Sequence, residues 1–566
     1  MSSRACVPGR EAVTLGRLVT ANPSPSTVLW RRDLLTLTLV FGILFFFALG
    51  HAPLANPDEG RYAEIPREMV ASGDWVTPRL DGIDYFEKPP LFYWAVAASL
   101  RAFGPREAAA RAVPALAGLG GVLLTYAAGR RLFGRGAGRW SAVVLGTSAL
   151  YFAHTHLLII DLLVSVLMAA TLFAFILAVR EPPGRRRRGL FYALYASAAL
   201  ATLAKGPIGF LLTGAVMALW LLVCRQWSRL RPLYLPTGLL VFLALAAPWH
   251  LLVAARNPSW AHFYFIHENW ERFTTTEHSR TGPWWYFLPV VLLGLFPWTG
   301  FLWSAVRDAA AGGWARRGEK ADAWFLLLWA AFIFLFFSKS QSKLIPYILP
   351  VFPPLAVLVG ASLARTRPPR DWRVGLATFR GLCVLLAAAA LVAVLRPGLI
   401  RDPQAALALR PFAYGLAGVL LAGGILATGP ASVAVTGAAF LAGLIAAEAR
   451  IPLRSTKPLA LQVAQRAQPG ERVYHYHEFF HDFTFYAGRT VGLVSFQGEL
   501  EPANDPAVAA SGRLVDDAEF RRQWNGPDRV WAVARKKDVG ELFADPSFHK
   551  QLLGETAEHY LFSNRP

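Results

Sequence analysis

The stretch Asp161-Leu-Leu-Val-Ser-Val-Leu-Met-Ala-Ala-Thr-Leu-Phe-Ala-Phe-Ile-Leu-Ala-Val-Arg180 has a carboxylate at one end, a guanidinium at the other and no charge between. An uncharged apolar run of this length crosses the hydrocarbon core of a bilayer as a helix. The pattern recurs along the chain. Apolar segments fall at 34–53, 88–104, 109–133, 137–155, 158–180, 189–204, 206–225, 235–255, 284–307, 323–338, 344–364, 375–396, 412–428 and 431–449. Over 566 residues the chain is 54% apolar and 17% charged, with a mean hydropathy of +0.37. A soluble protein carries about 25% charge. Nineteen Trp and 38 Phe suit long membrane faces with aromatic belts. Soluble and disordered classes are excluded, and the chain reads as a polytopic α-helical membrane protein.

The formal charge of +20 is concentrated in short loops between apolar runs. Arg130, Arg131, Arg135 and Arg139 form one cluster, and Arg180 with Arg185–Arg188 forms another. Others are Arg225/Arg229/Arg231, Arg316/Arg317/Lys320 and Arg365/Arg367/Arg370/Arg373. This is the positive-inside pattern, and it accounts for the charge without nucleic acid. With those loops and the N-terminus cytoplasmic, segment 34–53 goes out and 109–133 returns. Segment 88–104, which opens Lys88-Pro89-Pro90 and contains Arg101, then lies on or dips into the outer face. Thirteen spans remain, and the C-terminus is outside. The polar segment 1–33 has no small-residue cleavage site, so the first span is expected to be a retained anchor. Cys6, Cys224 and Cys383 suggest no disulfide on the outer side.

The expected organisation is a cytoplasmic segment 1–33, a membrane domain 34–450 with outer loops 54–108, 256–283 and 338–347, and a soluble domain 451–566. Alternating runs at Arg472-Val-Tyr-His-Tyr476 and Arg529-Val-Trp-Ala-Val533 predict strands. Helical stretches near 457–467, 515–524 and 538–552 complete a small α/β domain. His475, His477 and His481 fit an exposed strand face with incidental histidines better than a metal site.

The unusual polar residues gather in the outer loops. The first loop reads Ala55-Asn-Pro-Asp-Glu-Gly-Arg-Tyr-Ala-Glu-Ile-Pro-Arg-Glu-Met69. Asn56-Pro57-Asp58-Glu59 starts a helix with carboxylates where the macrodipole favours them. Asp58 is thus a cap or a functional acid, and Arg61, Glu64, Arg67 and Glu68 on the same helix argue for function. Asp161 lies at the mouth of a membrane helix, where an unpaired carboxylate is costly. It is a functional candidate unless a nearby cation pairs with it. Lys205, in Ala204-Lys-Gly-Pro207, is a similar outlier, with interfacial snorkelling as the alternative. His262-Phe-Tyr-Phe-Ile-His-Glu-Asn-Trp-Glu-Arg-Phe273 puts His267 and Glu271 on one helical face, without a zinc-protease spacing. Ser338-Lys-Ser-Gln-Ser-Lys-Leu-Ile-Pro-Tyr347 adds Lys343 and Tyr347. Cations to bind phosphate and carboxylates to orient or deprotonate an acceptor suit a phosphate-bearing lipid substrate. No Gly-rich phosphate loop or Walker motif is present, so no nucleotide cofactor is expected. A transporter would place ionisable sites near mid-bilayer in two related halves; here the charges cluster on one face.

The strings Asn56-Pro-Asp-Glu-Gly-Arg-Tyr-Ala-Glu-Ile-Pro-Arg-Glu-Met69, Gly73-Asp-Trp-Val-Thr-Pro-Arg-Leu80 and Tyr85-Phe-Glu-Lys-Pro-Pro90 resemble the bacterial aminoarabinose transferases that modify lipid A. These belong to the GT-C glycosyltransferases, with the protein O-mannosyltransferases. Ala204-Lys-Gly-Pro207, His267-Glu-Asn-Trp-Glu-Arg-Phe273 and Lys343-Leu-Ile-Pro-Tyr-Ile-Leu-Pro350 fit the same family, so the resemblance covers about 34–365. It implies about thirteen helices, a periplasmic C-terminal α/β domain, and transfer of 4-amino-4-deoxy-L-arabinose from undecaprenyl phosphate to lipid A phosphates outside the inner membrane. It further implies Asp58 and Asp161 as catalytic-site carboxylates. Lys88, Arg272 and Tyr347 would hold the carrier phosphate, with Lys205, Arg61, Tyr62, Tyr85 and Lys343 in the substrate-binding set. Glu87 and His267 would bind a divalent metal (zinc, magnesium or manganese), and the enzyme would act as a monomer. Glu87-Lys-Pro-Pro-Leu-Phe-Tyr-Trp94 resembles the broad family more than its specialised members. Galactosamine or a hexose, passed to lipid A or protein, is therefore the alternative cargo.

Overall fold

Water is absent from the bilayer core, so each crossing segment must satisfy its own backbone N–H and C=O groups, which the α-helix does. The computed structural model describes residues 25–258, 260–264, 281–365, 371–396, 403–448, 455–496 and 511–566, with positions 399, 498 and 500. Its first ten helices are α1 (Pro25–Phe46), α2 (Asp58–Ser72), α3 (Leu91–Phe103), α4 (Glu107–Phe133), α5 (Arg135–Gly146), α6 (Ala149–His156), α7 (Asp161–Ala178), α8 (Arg185–Lys205), α9 (Ile208–Cys224) and α10 (Leu235–Arg256). Among the described residues eight helices are long and apolar enough to cross a membrane, or nine counting one bent pair. That pair, Phe287–Gly294 and Thr299–Ala310, turns by 105° across Pro297, which lacks the N–H a continuous helix needs.

Helix α1 reaches back beyond the expected start at residue 34, to Pro25. Asp33 sits within it, buried and satisfied by Arg135 at 2.7 Å, by Arg139 and by the Tyr126 hydroxyl. Segment 137–155 is two helices. The hydroxyls of Thr147 and Ser148 donate to carbonyls four residues back, at 2.6 Å each, a pattern that bends helices. Helix α3, the segment expected not to span, has 13 residues, about 20 Å at 1.5 Å per residue. By contrast α7 and α8, with 18 and 21 residues, span about 27–32 Å, the thickness of a hydrocarbon core. They run antiparallel, so Asp161 and Lys205 share one end while Arg180 and Arg185–Arg188 share the other.

Strands β1 (Arg79–Leu80) and β2 (Ile83–Asp84) form a hairpin between α2 and α3. The C-terminal domain is a six-stranded sheet of β3 (Arg472–Tyr476), β4 (Gly492–Val494), β5 (Leu514–Val515), β6 (Val530–Arg535), β7 (Gln551–Glu555) and β8 (His559–Ser563), ordered β5-β4-β3-β6-β8-β7. Its first four strands are parallel and the last two antiparallel. The helix expected over 538–552 stops at Ala544 and gives way to β7, because Pro546 disfavours a helical residue before it. The histidines also depart from the expected exposed face. His475 and His481 are buried, and only His477 is exposed, paired with Asp517 at 2.9 Å.

This domain is docked on α2. Gly60 lies so close to the helix His481–Ala487 that a Cβ there would stand 2.5 Å from the Asp482 backbone nitrogen. The Asp482 carboxylate accepts from the Ser455 hydroxyl at 2.7 Å and from the Thr456 N–H and hydroxyl at 2.7 and 2.8 Å. Asn56 closes the junction, donating its amide to that carboxylate and accepting from the Asp482 N–H at 3.0 Å. Glu107 of α4 is ion-paired with Lys457 and accepts from Tyr486 at 2.9 Å. Along the other flank, Arg67 grips Glu64 at 2.6 and 2.7 Å. There Asp81 accepts from Val491 N–H at 2.8 Å, with Arg513 at 3.6 Å.

Removing the Asp482 carboxylate (Asp482→Ala) leaves several buried donors unmatched, at about 1–3 kcal/mol each. A lower melting temperature of the full chain and faster hydrogen exchange in α2 are expected. Glu68 accepts from Gly82 N–H at 3.0 Å, and burial, with the Glu64 charge second, pushes its carboxyl up to about 8. The folded state therefore favours the neutral acid. That contribution is full below the ordinary carboxylate range and is lost as pH rises through about 8. Glu68→Gln is expected to flatten the decline in melting temperature between about pH 5 and pH 9, read in a thermal-shift series.

Candidate active site

A cavity of about 310 Å³ opens where the starts of α2 and α7 meet the end of α8 and the segment 336–350. Eight residues singled out from sequence line it: Asp58, Arg61, Tyr62, Glu87, Lys88, Asp161, Lys205 and Tyr347. Each is placed by a helix end or a proline-bounded turn. Asp58 and Asp161 are the first residues of α2 and α7, where the macrodipole favours a carboxylate. Lys205 is the last residue of α8, which Gly206 terminates at φ +84° before Pro207 leads into α9. Tyr347 lies in the 3₁₀ stretch Ile345–Val351, where Pro350 lacks the N–H that a continuous α-helix would bond to residue 346.

The charges are organised in pairs. Lys205 forms an ion pair with Asp161 and stands 4.5 Å over the Tyr347 ring. Asp58 is exposed and receives Arg61 at 3.2 Å. Lys88 lies 3.6 Å from the Glu87 carboxylate and donates to its own neighbour's carbonyl, that of Glu87, at 2.9 Å. Tyr62 is buried edge-on against Phe92, at 5.5 Å between ring centres. The remaining wall is mostly apolar, with Val164 and Met168 from α7, Ile208 and Leu212 from α9, and Phe336 and Phe337, interrupted by Tyr264, Ser340 and Ser342. A charged head compartment continuous with an apolar wall suits an amphiphile with a phosphate group.

Two other sequence candidates lie outside this lining. Tyr85 is buried in the core, and Lys343 is buried and donates to the Ser340 carbonyl at 2.5 Å. Arg272 and His267 fall outside the described residues. Among the described residues no three His, Cys, Asp or Glu side chains converge as a metal site; Glu87 alone brings a carboxylate donor to the cavity from the expected metal pair.

Sequence reasoning missed what holds the two aspartates in register. Arg111, inside α4, directs all five guanidinium hydrogens inward. It meets Glu59 at 2.7 and 2.8 Å and the carbonyls of Leu49, Ala52 and Pro53 at 2.7–3.0 Å. Glu59 also accepts from Ala55 N–H at 2.9 Å and Leu158 N–H at 2.8 Å. One buried pair thus ties the segment bearing Asp58 to the turn bearing Asp161. The available signal was an arginine near the start of an apolar run, eighteen uncharged residues before the next charge at Arg130.

Comparison with known proteins agrees with this architecture. A family model for dolichyl-phosphate-mannose-protein mannosyltransferases matches residues 87–251. Another, for the aminoarabinose transferase C-terminal domain, matches residues 459–555. The undecaprenyl phosphate-alpha-4-amino-4-deoxy-L-arabinose arabinosyl transferase of Aeromonas salmonicida (strain A449) is 34% identical over 365 residues. That match spans 63% of this chain and 64% of the relative, just under two thirds of its length. The crystal structure of ArnT from Cupriavidus metallidurans bound to undecaprenyl phosphate superposes with a TM-score of 0.81 at 31% identity, over 94% of this chain and 98% of that one. An archaeal oligosaccharyltransferase, AglB from Archaeoglobus fulgidus, shares the fold at 12% identity and a TM-score of 0.51.

Replacing Arg111 with Met leaves the Glu59 carboxylate buried without its counter-charge, which costs about 3–5 kcal/mol. A sharp fall in melting temperature is expected. Adding Glu59→Gln removes the stranded charge, so the double variant should lose less stability than the two single losses combined.

Proposed function

Because the chain belongs to the aminoarabinose transferase family, we propose that it transfers 4-amino-4-deoxy-L-arabinose from undecaprenyl phosphate to lipid A phosphates at the periplasmic face of the bacterial inner membrane. The observation that carries this reading is the meeting of Asp58, Lys88, Asp161, Lys205 and Tyr347 in one cavity with an apolar wall. The polyprenyl tail would follow that wall, and the phosphate would sit among Lys88, Lys205, Tyr347 and Arg272.

In the transfer an oxygen of the acceptor phosphate bonds to the anomeric carbon as the bond from that carbon to the carrier phosphate breaks. Undecaprenyl phosphate leaves with the electron pair. The developing negative charge needs fixed cations at the leaving oxygen, a role for Lys88 and Arg272. An ionised acceptor phosphate is already nucleophilic, so no strong base is required. Asp58, exposed at the cavity, orients the sugar or its amine, and Asp161 keeps Lys205 in place over Tyr347. A divalent cation (zinc, magnesium or manganese) on Glu87 and His267 would add positive charge beside the carrier phosphate. The same reading includes thirteen spans, a periplasmic C-terminal domain and a monomeric enzyme.

Mass spectrometry of lipid A from a transferase-null bacterium expressing this chain tests the proposal. An added aminopentose is expected with the parent chain. It should be absent with Asp58→Ala or Lys88→Ala, at unchanged levels of inserted protein, and should diminish in membranes treated with a chelator if the metal takes part. The match to mannosyltransferases over residues 87–251 favours a hexose as second cargo; a hexose, or galactosamine, would register as a different mass. Unmodified lipid A with protein and donor present would overturn lipid A as the acceptor.

A further inference from the structure

At the opposite end of the membrane helices, an open concavity of about 620 Å³ is bordered by Arg130 and Arg131 of α4, Arg135 of α5, Arg180 beyond α7, and Arg186 of α8. We propose that this is a second ligand site, which binds the phosphodiester headgroup of an anionic membrane lipid. The positive-inside rule explains why each turn is basic. It does not make turns some fifty residues apart converge on one concavity.

The charge there is not neutralised from within. Glu181 lines the space and meets Arg131 at 3.6 Å and Arg186 at 3.1 Å. Asp33 serves both Arg135, at 2.7 Å, and Arg139, and Asp322 meets Arg180 at 2.8 Å. Five guanidinium groups thus share three carboxylates. Among the described residues Arg130 packs against the Trp30 ring, 6.0 Å from its centre, rather than against an acid. Guanidinium groups with spare N–H donors fit phosphate oxygens in pairs.

The surroundings point to a lipid as the source of that phosphate. Leu29 of α1 forms part of the lining. From it the helix presents Leu35, Leu39 and Ile43, which are 61%, 56% and 75% exposed. Spaced four apart, they form one apolar stripe that begins about two turns along α1 from Leu29 and that an acyl chain can follow. Basic pockets between membrane helices bind lipid headgroups by this combination. The site is separate from the Asp58 cavity by the length of α7 and α8. A lipid bound there would bridge the α4–α5 and α7–α8 turns.

Delipidated full-length protein in detergent, titrated with phosphatidylglycerol or phosphatidylethanolamine and read by native mass spectrometry and melting temperature, tests this. The parent chain should bind phosphatidylglycerol at least tenfold more tightly than phosphatidylethanolamine and melt higher with it bound. Arg130→Gln/Arg186→Gln should lose that preference. Arg31→Gln/Arg32→Gln, which removes the same charge from exposed positions of α1, should keep it. Should the first double variant fail to fold, Arg186→Lys, which keeps the charge and loses the fork, is expected to weaken binding severalfold. Equal binding of the two lipids, or equal loss in both double variants, overturns the proposal. Inorganic phosphate reproducing the whole melting shift at millimolar concentration overturns the lipid assignment in favour of a free anion.

Discussion

The buried pair of Arg111 and Glu59 is the constraint on which the candidate active site depends. Taking two charges out of water is costly, and their attraction offsets that cost only when every remaining donor and acceptor is met. Here the guanidinium is saturated by one carboxylate and three backbone carbonyls. The carboxylate also collects two backbone N–H groups. The pair gathers the backbone carbonyls at 49–53 and the N–H of Leu158 around one helix. Because they do, Asp58 and Asp161, far apart in the chain, face the same space.

Around that pair the membrane domain separates charge along its helices. Helices α7 and α8 are apolar in the middle and ionised at both ends, so each end must find its own partners within its own layer. At one end Asp161 and Lys205 satisfy each other and bring Tyr347 into contact. At the other, arginines outnumber the acids that meet them. The two ends therefore differ in what they can bind: a cavity of paired charges with an apolar wall, and a cavity with surplus positive charge.

The C-terminal domain belongs to this arrangement rather than hanging from it. Its Asp482 joins Asn56, two residues before Asp58, and Gly60 leaves no space between α2 and the helix His481–Ala487. The helix that begins with Asp58 is thus held from the membrane side by Glu59 and from the C-terminal side by Asn56. The aminoarabinose transferase reading rests on residues braced from both directions.

Much of this was legible in the residues alone, for physical reasons that are local. Length and hydropathy marked the helices, since a segment in lipid must satisfy its own backbone. The basic turns marked which helix ends belong together, and the charged loops at the other ends, with the family resemblance of their motifs, marked Asp58, Lys88, Asp161, Lys205 and Tyr347 as one set. What only the tertiary structure decided is which polar group meets which. Asp161 and Lys205 each stood open between a structural and a functional reading until the antiparallel packing of α7 and α8 paired them. Tyr85 and Lys343 share loops with lining residues, yet both are buried outside the cavity lining. His475 sits in an alternating strand that looks half exposed, but the sheet has cover on that face and buries it. Arg111 with Glu59, and Asn56 with Asp482, join positions 52 and 426 residues apart. No local period encodes such a partnership; it exists only where packing brings two buried polar groups within reach and leaves neither any water to turn to.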